Sequence, residues 1–186
     1  MPKPAIFLDR DGTIIEDRDY LAHPDQVSIL PNVTQPLAQL SQSGYALVMI
    51  TNQSGIGRGY FTLKHLEAVH EHLTQLLLAE NVELDGIYFC PHAPSENCGC
   101  RKPLPALVLR ARDDLDLDLS RSFVIGDKPA DVGLALAVGA KPILVRTGYG
   151  AESEHDPMVQ SAAHIVDTIA QALPYILKTF PLEKIK

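Results

Sequence analysis

No apolar run in this sequence is long enough to span a bilayer, and the opening Met1-Pro2-Lys3-Pro4 has no signal-peptide pattern. A cytoplasmic address is expected, away from membranes. Positive charge is scarce: 16 Lys and Arg stand against 23 Asp and Glu, a formal charge of −7. That balance argues against gripping nucleic acid or an anionic membrane. Cysteine is scarce and odd in number, at three, so a disulfide framework is not expected. Internal repeats, low-complexity tracts and linkers are missing as well. Residues 1–186 therefore read as one domain, expected to act as a monomer.

What is present is alternation. Short apolar runs at Ala5–Leu8, Ala46–Ile50, Gly86–Cys90, Ser122–Ile125, Pro142–Val145 and Ile165–Val166 read as strands. Helical patterns separate them. Val33, Leu37 and Leu40 share one face, and so do Leu63, Leu66, Val69, Leu73, Leu76 and Leu77, with Thr62 as N-cap. Further helices follow Pro105, run from about Asp131 to Val138, and close the chain behind a cap at Asp167. Unbroken apolar strands alternating with helices predict an α/β fold, with a central parallel sheet covered on both faces. Ligands of such sheets bind beyond the carboxyl ends of the strands. The residues after each strand are thus the candidates for function.

The first strand runs into Asp9-Arg10-Asp11-Gly12-Thr13. Residues two apart on extended chain point the same way, so Asp9 and Asp11 can converge. Paired carboxylates repel unless a hard cation such as Mg²⁺ intervenes. Thr51-Asn52-Gln53-Ser54-Gly55-Ile56-Gly57-Arg58-Gly59 follows the second strand, a donor-rich loop suited to phosphate. It is neither a dinucleotide fingerprint nor a P-loop. Asp127 follows the fourth strand, and Asp131 reads as the cap of the next helix. Any one of these pieces could be an ordinary turn; their convergence on one sheet edge is the signal.

All three cysteines fall in the loop after the third strand, where Cys90, His92, Cys98 and Cys100 form a Cys₃His set. Such a set suits structural Zn²⁺, with no position left open for catalysis. Arg101 and Lys102 leave this loop directly, placed for phosphate or carboxylate. His65, His70 and His72 on the long helix read as solvated, and Asp113–Asp118 as a charged surface turn.

Carboxylates, a cation site, a lysine and a donor loop suggest phosphoryl transfer. Asp9 would be the nucleophile and form an aspartyl-phosphate. Asp11 would protonate the leaving oxygen and then deprotonate water. Mg²⁺ on Asp9 and Asp127 would offset repulsion between nucleophile and phosphate. Lys102 and Thr51 would stabilise the transferring group.

These residues carry a resemblance. Asp9-x-Asp11-Gly12-Thr13, Thr51, Lys102 and Gly126-Asp127-x-x-x-Asp131 resemble, in order, the four motifs of the haloacid dehalogenase-like superfamily. The resemblance implies a Rossmann-like three-layer fold and Mg²⁺ bound in part by the backbone carbonyl of Asp11. With the Cys90/His92/Cys98/Cys100 loop, the chain is further similar to the heptose-bisphosphate phosphatase family, whose members usually lack a large cap domain. Asn52, Gln53, Ser54, Arg101 and Lys102 would then hold a phosphorylated sugar, helped by the segment from Asp17 to Tyr20. Arg58 could meet a second anionic group.

Histidinol-phosphate phosphatases share the zinc loop, but their substrate offers a cation where Arg58 would need an anion. A polynucleotide 3′-phosphatase would need a basic track that this acidic chain lacks. A zinc-dependent interaction module would leave Asp9, Asp11, Lys102 and Asp127 without a task.

Overall fold

The computed structural model describes residues 2–181. Six strands, β1 (Lys3–Leu8), β2 (Ala46–Asn52), β3 (Gly86–Cys90), β4 (Leu117–Gly126), β5 (Lys141–Val145) and β6 (His164–Val166), form one sheet. Every neighbouring pair is parallel, in the order β3-β2-β1-β4-β5-β6. The helices are α1 (Thr34–Gln42), α2 (Leu63–Ala79), α3 (Ala106–Leu115), α4 (Pro129–Val138), α5 (Gly150–Ser153), α6 (Pro157–Ala162) and α7 (Ile169–Thr179). This is the expected three-layer α/β arrangement.

The unbroken apolar strands follow from burial on both faces. Ile6 and Leu8 of β1 point into a core with Leu37 of α1, Val69 and Leu73 of α2 and Ile176 of α7. Their neighbours Ala5 and Phe7 point the other way, onto Val108 of α3 and Leu134 of α4. A one-residue slip in β1 would exchange these sets, so its register is specified from both sides.

Strand order positions the site. The chain leaves β1 toward β2 and β3, then crosses back to place β4 on the other side of β1. Connections on either side of such a switch point diverge and leave a crevice at the carboxyl ends. Leu8 of β1 is in register with Ile125 of β4, and the amide of Asp9 donates to the carbonyl of Ile125 at 2.9 Å. Asp9 and Asp127 thus emerge side by side.

Four local expectations need correction. β4 begins at Leu117 rather than Ser122, and the acidic stretch Asp113–Asp118 spans the end of α3 and the start of that strand. Its reversal is made by Asp116 alone, at φ 52°. The N-cap position of α7 is Thr168, not Asp167. Asp167 instead accepts from Arg146 Nη1 at 2.7 Å and from Gln171 Nε2 at 3.0 Å. His70 is buried, because it shares the inward face of α2 with Leu66, Val69, Leu73 and Leu77.

Candidate active site and metal centres

Asp9 sits at the floor of a cavity of about 300 Å³ at the sheet's carboxyl edge. Its Oδ1 accepts from the Arg10 amide at 2.8 Å and faces Lys102 Nζ at 2.8 Å. Lys102 is 5% exposed, so its ammonium needs partners for all three protons. They are Asp9 Oδ1, Asp131 Oδ1 at 2.6 Å and the carbonyl of Ile50 at 2.9 Å. Burial works against the charge, yet Asp131 and Asp9 together hold the Lys102 pKa above its ordinary value. Asn52 fixes the approach of this segment: its Oδ1 accepts from the Lys102 amide at 3.0 Å.

Asp131 therefore does more than cap. Its Oδ2 accepts from the Lys128 amide at 3.1 Å, as a capping residue should, while Oδ1 meets Lys102. Gly126 is required just before Asp127 because a Cβ there would overlap the Asp131 carboxyl group.

Among the described residues, Asp9, Asp127 and Asp131 form one group able to hold a metal ion, their ligand atoms within 4.8 Å of one another. Asp131 is already paired, which leaves Asp9 and Asp127. Asp127 is fully buried; Oδ2 accepts from the Tyr149 amide at 2.8 Å, but Oδ1 has no partner. Burial and the nearby Asp9 charge push its carboxyl up to about 7. A buried orphan oxygen on a carboxylate that resists ionising is the environment a hard divalent cation relieves, so the donor set fits Mg²⁺. Gly12 (φ 77°) and Gly148 (φ 55°) close around that carboxylate; a Cβ on either would run into it.

Asp11 is gripped by its neighbour. Arg10 Nη2 donates to Oδ1 and Oδ2 at 2.9 Å each, and Nε to Oδ1 at 3.1 Å. Gln53 Nε2 adds 2.9 Å to Oδ2 and 2.8 Å to Thr51 Oγ1, while Gln53 Oε1 accepts from Arg10 Nη2 at 3.0 Å. Gln53 and Thr51 are both buried, and the Thr51 hydroxyl keeps its proton to donate.

Around Asp9 the cavity is lined mostly by loops and by the end of β2. Asp17, Tyr20, Asn52, Ser54 and Arg101, the expected sugar contacts, are among the residues that line the cavity. Arg101 Nη1 is buried without a hydrogen-bond partner. Arg58 stands one layer out, exposed, its guanidinium 6.0 Å from the centre of the Tyr20 ring. Sequence reasoning missed Lys128 and Tyr149. Lys128 Nζ pairs with Asp17 Oδ2 at 3.0 Å and lies 4.8 Å over the Tyr149 ring. A lysine beside the Asp127 motif was the available signal for the first; nothing in the local pattern marked the second.

Among the described residues, Cys90, His92, Cys98 and Cys100 form a second group able to hold a metal, the Cys₃His set expected from the sequence. Sulfur–sulfur distances are 3.1, 3.4 and 3.7 Å, and His92 Nδ1 lies 3.3 Å from Cys100 Sγ and 3.6 Å from Cys90 Sγ. A tetrahedron with Zn–S bonds of about 2.3 Å has edges of about 3.8 Å, so the four atoms are close to a zinc shell. Burial pushes the Cys90 thiol up to about 12, a cost that a bound cation would remove.

Comparison with known proteins agrees with this architecture. Residues 99–172 match the HAD-hydrolase-like family. The chain is 41% identical over 184 residues to D-glycero-beta-D-manno-heptose-1,7-bisphosphate 7-phosphatase of Yersinia pestis, covering 94% of this chain and 95% of that one. It is 45% identical over 152 residues to the enzyme of the same name from Helicobacter pylori, covering 81% and 87%. The crystal structure of the B. bronchiseptica D,D-heptose 1,7-bisphosphate phosphatase, complexed with magnesium and phosphate, superposes with a TM-score of 0.88 at 32% identity, covering 95% and 99%. A likeness that spans nearly the whole of both chains places this protein among the HAD-like hydrolases, in the heptose-bisphosphate phosphatase family.

Proposed function

We propose that this phosphatase removes the C7 phosphate of D-glycero-D-manno-heptose 1,7-bisphosphate, forming an aspartyl-phosphate on Asp9. The activity would supply the ADP-heptose precursor of lipopolysaccharide. The observation that carries the reading is Asp9 itself: one carboxylate between a buried, fully paired lysine and a buried carboxylate with an orphan oxygen. With Oδ1 held by Lys102 and the Arg10 amide, Oδ2 is the oxygen free to attack phosphorus in line. Asp11 delivers a proton to the departing sugar oxygen and later takes one from water. The Thr51 hydroxyl and Lys102 face the charge on the transferring oxygens. Asp9, Asp127 and the backbone carbonyl of Asp11 would hold Mg²⁺, which supplies charge neutralisation between carboxylate and phosphate. Zn²⁺ on the Cys₃His loop would fix the segment that carries Arg101 and Lys102.

Substrate contacts fall to Asp17, Tyr20, Asn52, Gln53, Ser54 and Arg101, with Arg58 reaching in from the rim. Gln53 contributes from behind, by orienting Asp11 and Thr51. The relatives' printed names, at 41% and 45% identity over most of their length, support the bisphosphate as substrate. A cytoplasmic single-domain monomer completes the proposal; among the described residues no helix is long and apolar enough to cross a membrane.

The test is phosphate release with Mg²⁺ from the heptose bisphosphate and from histidinol phosphate, side by side. We expect a strong preference for the bisphosphate, with phosphate lost from C7. A preference for histidinol phosphate would overturn the substrate and leave the chemistry.

A further inference from the structure

Arg10 is the largest of the fully buried side chains, at 1% exposure, and its guanidinium brings five donors into the protein interior. Nε and Nη2 are spent on Asp11 and Gln53. Nη1 points the other way, to His70 Nε2 at 3.3 Å. Arginine can only donate, so His70 must accept, and its imidazole is neutral with the proton on Nδ1. His70 is 8% exposed and its ring packs edge-on against Phe89, 5.9 Å between centroids. The acceptor is therefore fixed by packing on a core helix rather than by solvent.

We propose that His70 is a positioning residue for Asp11, acting through Arg10. Arg10 is a rigid planar fork, so holding Nη1 from behind sets the plane in which Nε and Nη2 present themselves to the carboxylate. Asp11 keeps 18% of its side chain exposed, and that edge lines the cavity. The chain His70–Arg10–Asp11 thus aims the exposed edge at the leaving oxygen. The inference rests on the reading of Asp11 as general acid. In that step Asp9 forms a bond to phosphorus, the ester P–O bond breaks, and the departing oxygen takes the proton of Asp11.

A poor leaving group needs that proton; nitrophenolate leaves without it. The first irreversible step, which kcat/KM reports, should therefore suffer selectively when Asp11 is mis-aimed. In His70→Leu we expect kcat/KM for the heptose bisphosphate to fall about tenfold, part of the 10²–10⁴ that such catalysis supplies, and that for p-nitrophenyl phosphate to fall about twofold or less. His70→Gln, which keeps an acceptor for Nη1, should restore the bisphosphate rate to within about twofold. Equal losses on both substrates in His70→Leu, or no restoration by Gln, would overturn the proposal. Should His70→Leu fail to fold, His70→Met, which fills the space without a strong acceptor for Nη1, carries the same comparison of the two substrates. Asp11→Asn separates the two readings. Selective loss there without selective loss at His70 defeats only the positioning role, whereas equal loss there overturns the acid role and the proposal together.

Discussion

Lys102 Nζ lies 2.6 Å from Asp131 Oδ1, closer than to the carboxylate of Asp9 at 2.8 Å. The shorter of the lysine's two ion pairs is thus with the residue that caps α4, the longer with the proposed nucleophile. Both residues are nearly inaccessible, and the pair survives burial because Asp9, the Ile50 carbonyl and the Lys128 amide complete its bonds.

Asp131→Asn keeps the volume and the cap but removes the charge. The ammonium should then shift toward Asp9 and blunt it as a nucleophile. We expect kcat to fall about 10²-fold, as for loss of one preorganised group, with an unchanged circular dichroism spectrum. Wild-type turnover would reduce Asp131 to a cap.

Gly148→Ala tests the enclosure of Asp127. A side chain at φ 55° costs about 1–3 kcal/mol of strain, and its Cβ would meet the Asp127 carboxylate and stand 2.6 Å from Gly12 Cα. A lower melting temperature and a higher Mg²⁺ requirement are expected together. A normal Mg²⁺ titration would show that the carboxylate can give way.

Metal analysis of protein purified without chelator should find about one zinc per chain. Cys100→Ser should lose it, lower the melting temperature and cut activity, because Lys102 lies only two residues beyond that ligand in the chain. Stable, fully active zinc-free protein would refute the assignment.

Acid should destabilise the fold through His70. Burial, helped by Arg10, lowers its pKa from 6.5 to about 3. The unfolded chain takes up this proton below pH 6.5, while the folded chain refuses it until near pH 3. Stability is complete above 6.5 and drains away as pH falls. At pH 5 the linkage amounts to about 2 kcal/mol. Chemical denaturation of wild type and His70→Gln at pH 7 and pH 5 should show the variant losing less.

The sheet and its chemistry were legible because both are written locally. Apolar runs mark buried strands, and a parallel sheet sends every strand end to the same edge. Asp9 and Asp127 could therefore be named from residue type and position, and Lys102 and the four candidate zinc ligands from their gathering in the loop after β3. What escaped notice depends on packing between distant elements. Arg10 reads as a spacer between two carboxylates until Gln53 and His70 close on it. The burial of His70 did have a signal, since it falls four residues after Leu66 and three before Leu73 on the apolar face of α2. Gly148 and Tyr149 follow a strand whose ending holds no acidic or cysteine residue, so nothing nearby drew attention to them.

The rim around the cavity is made of side chains on the core's own loops: Tyr20 beside Tyr60, and Lys128 over Tyr149. The reacting groups lie beneath, locked into strand ends and a buried ion network. On the proposed reading, selectivity and reactivity fall to different strata of the molecule. Substitutions at Tyr20, Tyr60 or Tyr149 would then alter what the cavity admits while leaving the strands and the buried ion network in place. Descendants of such a fold would diverge first in what they accept and last in what they do to it.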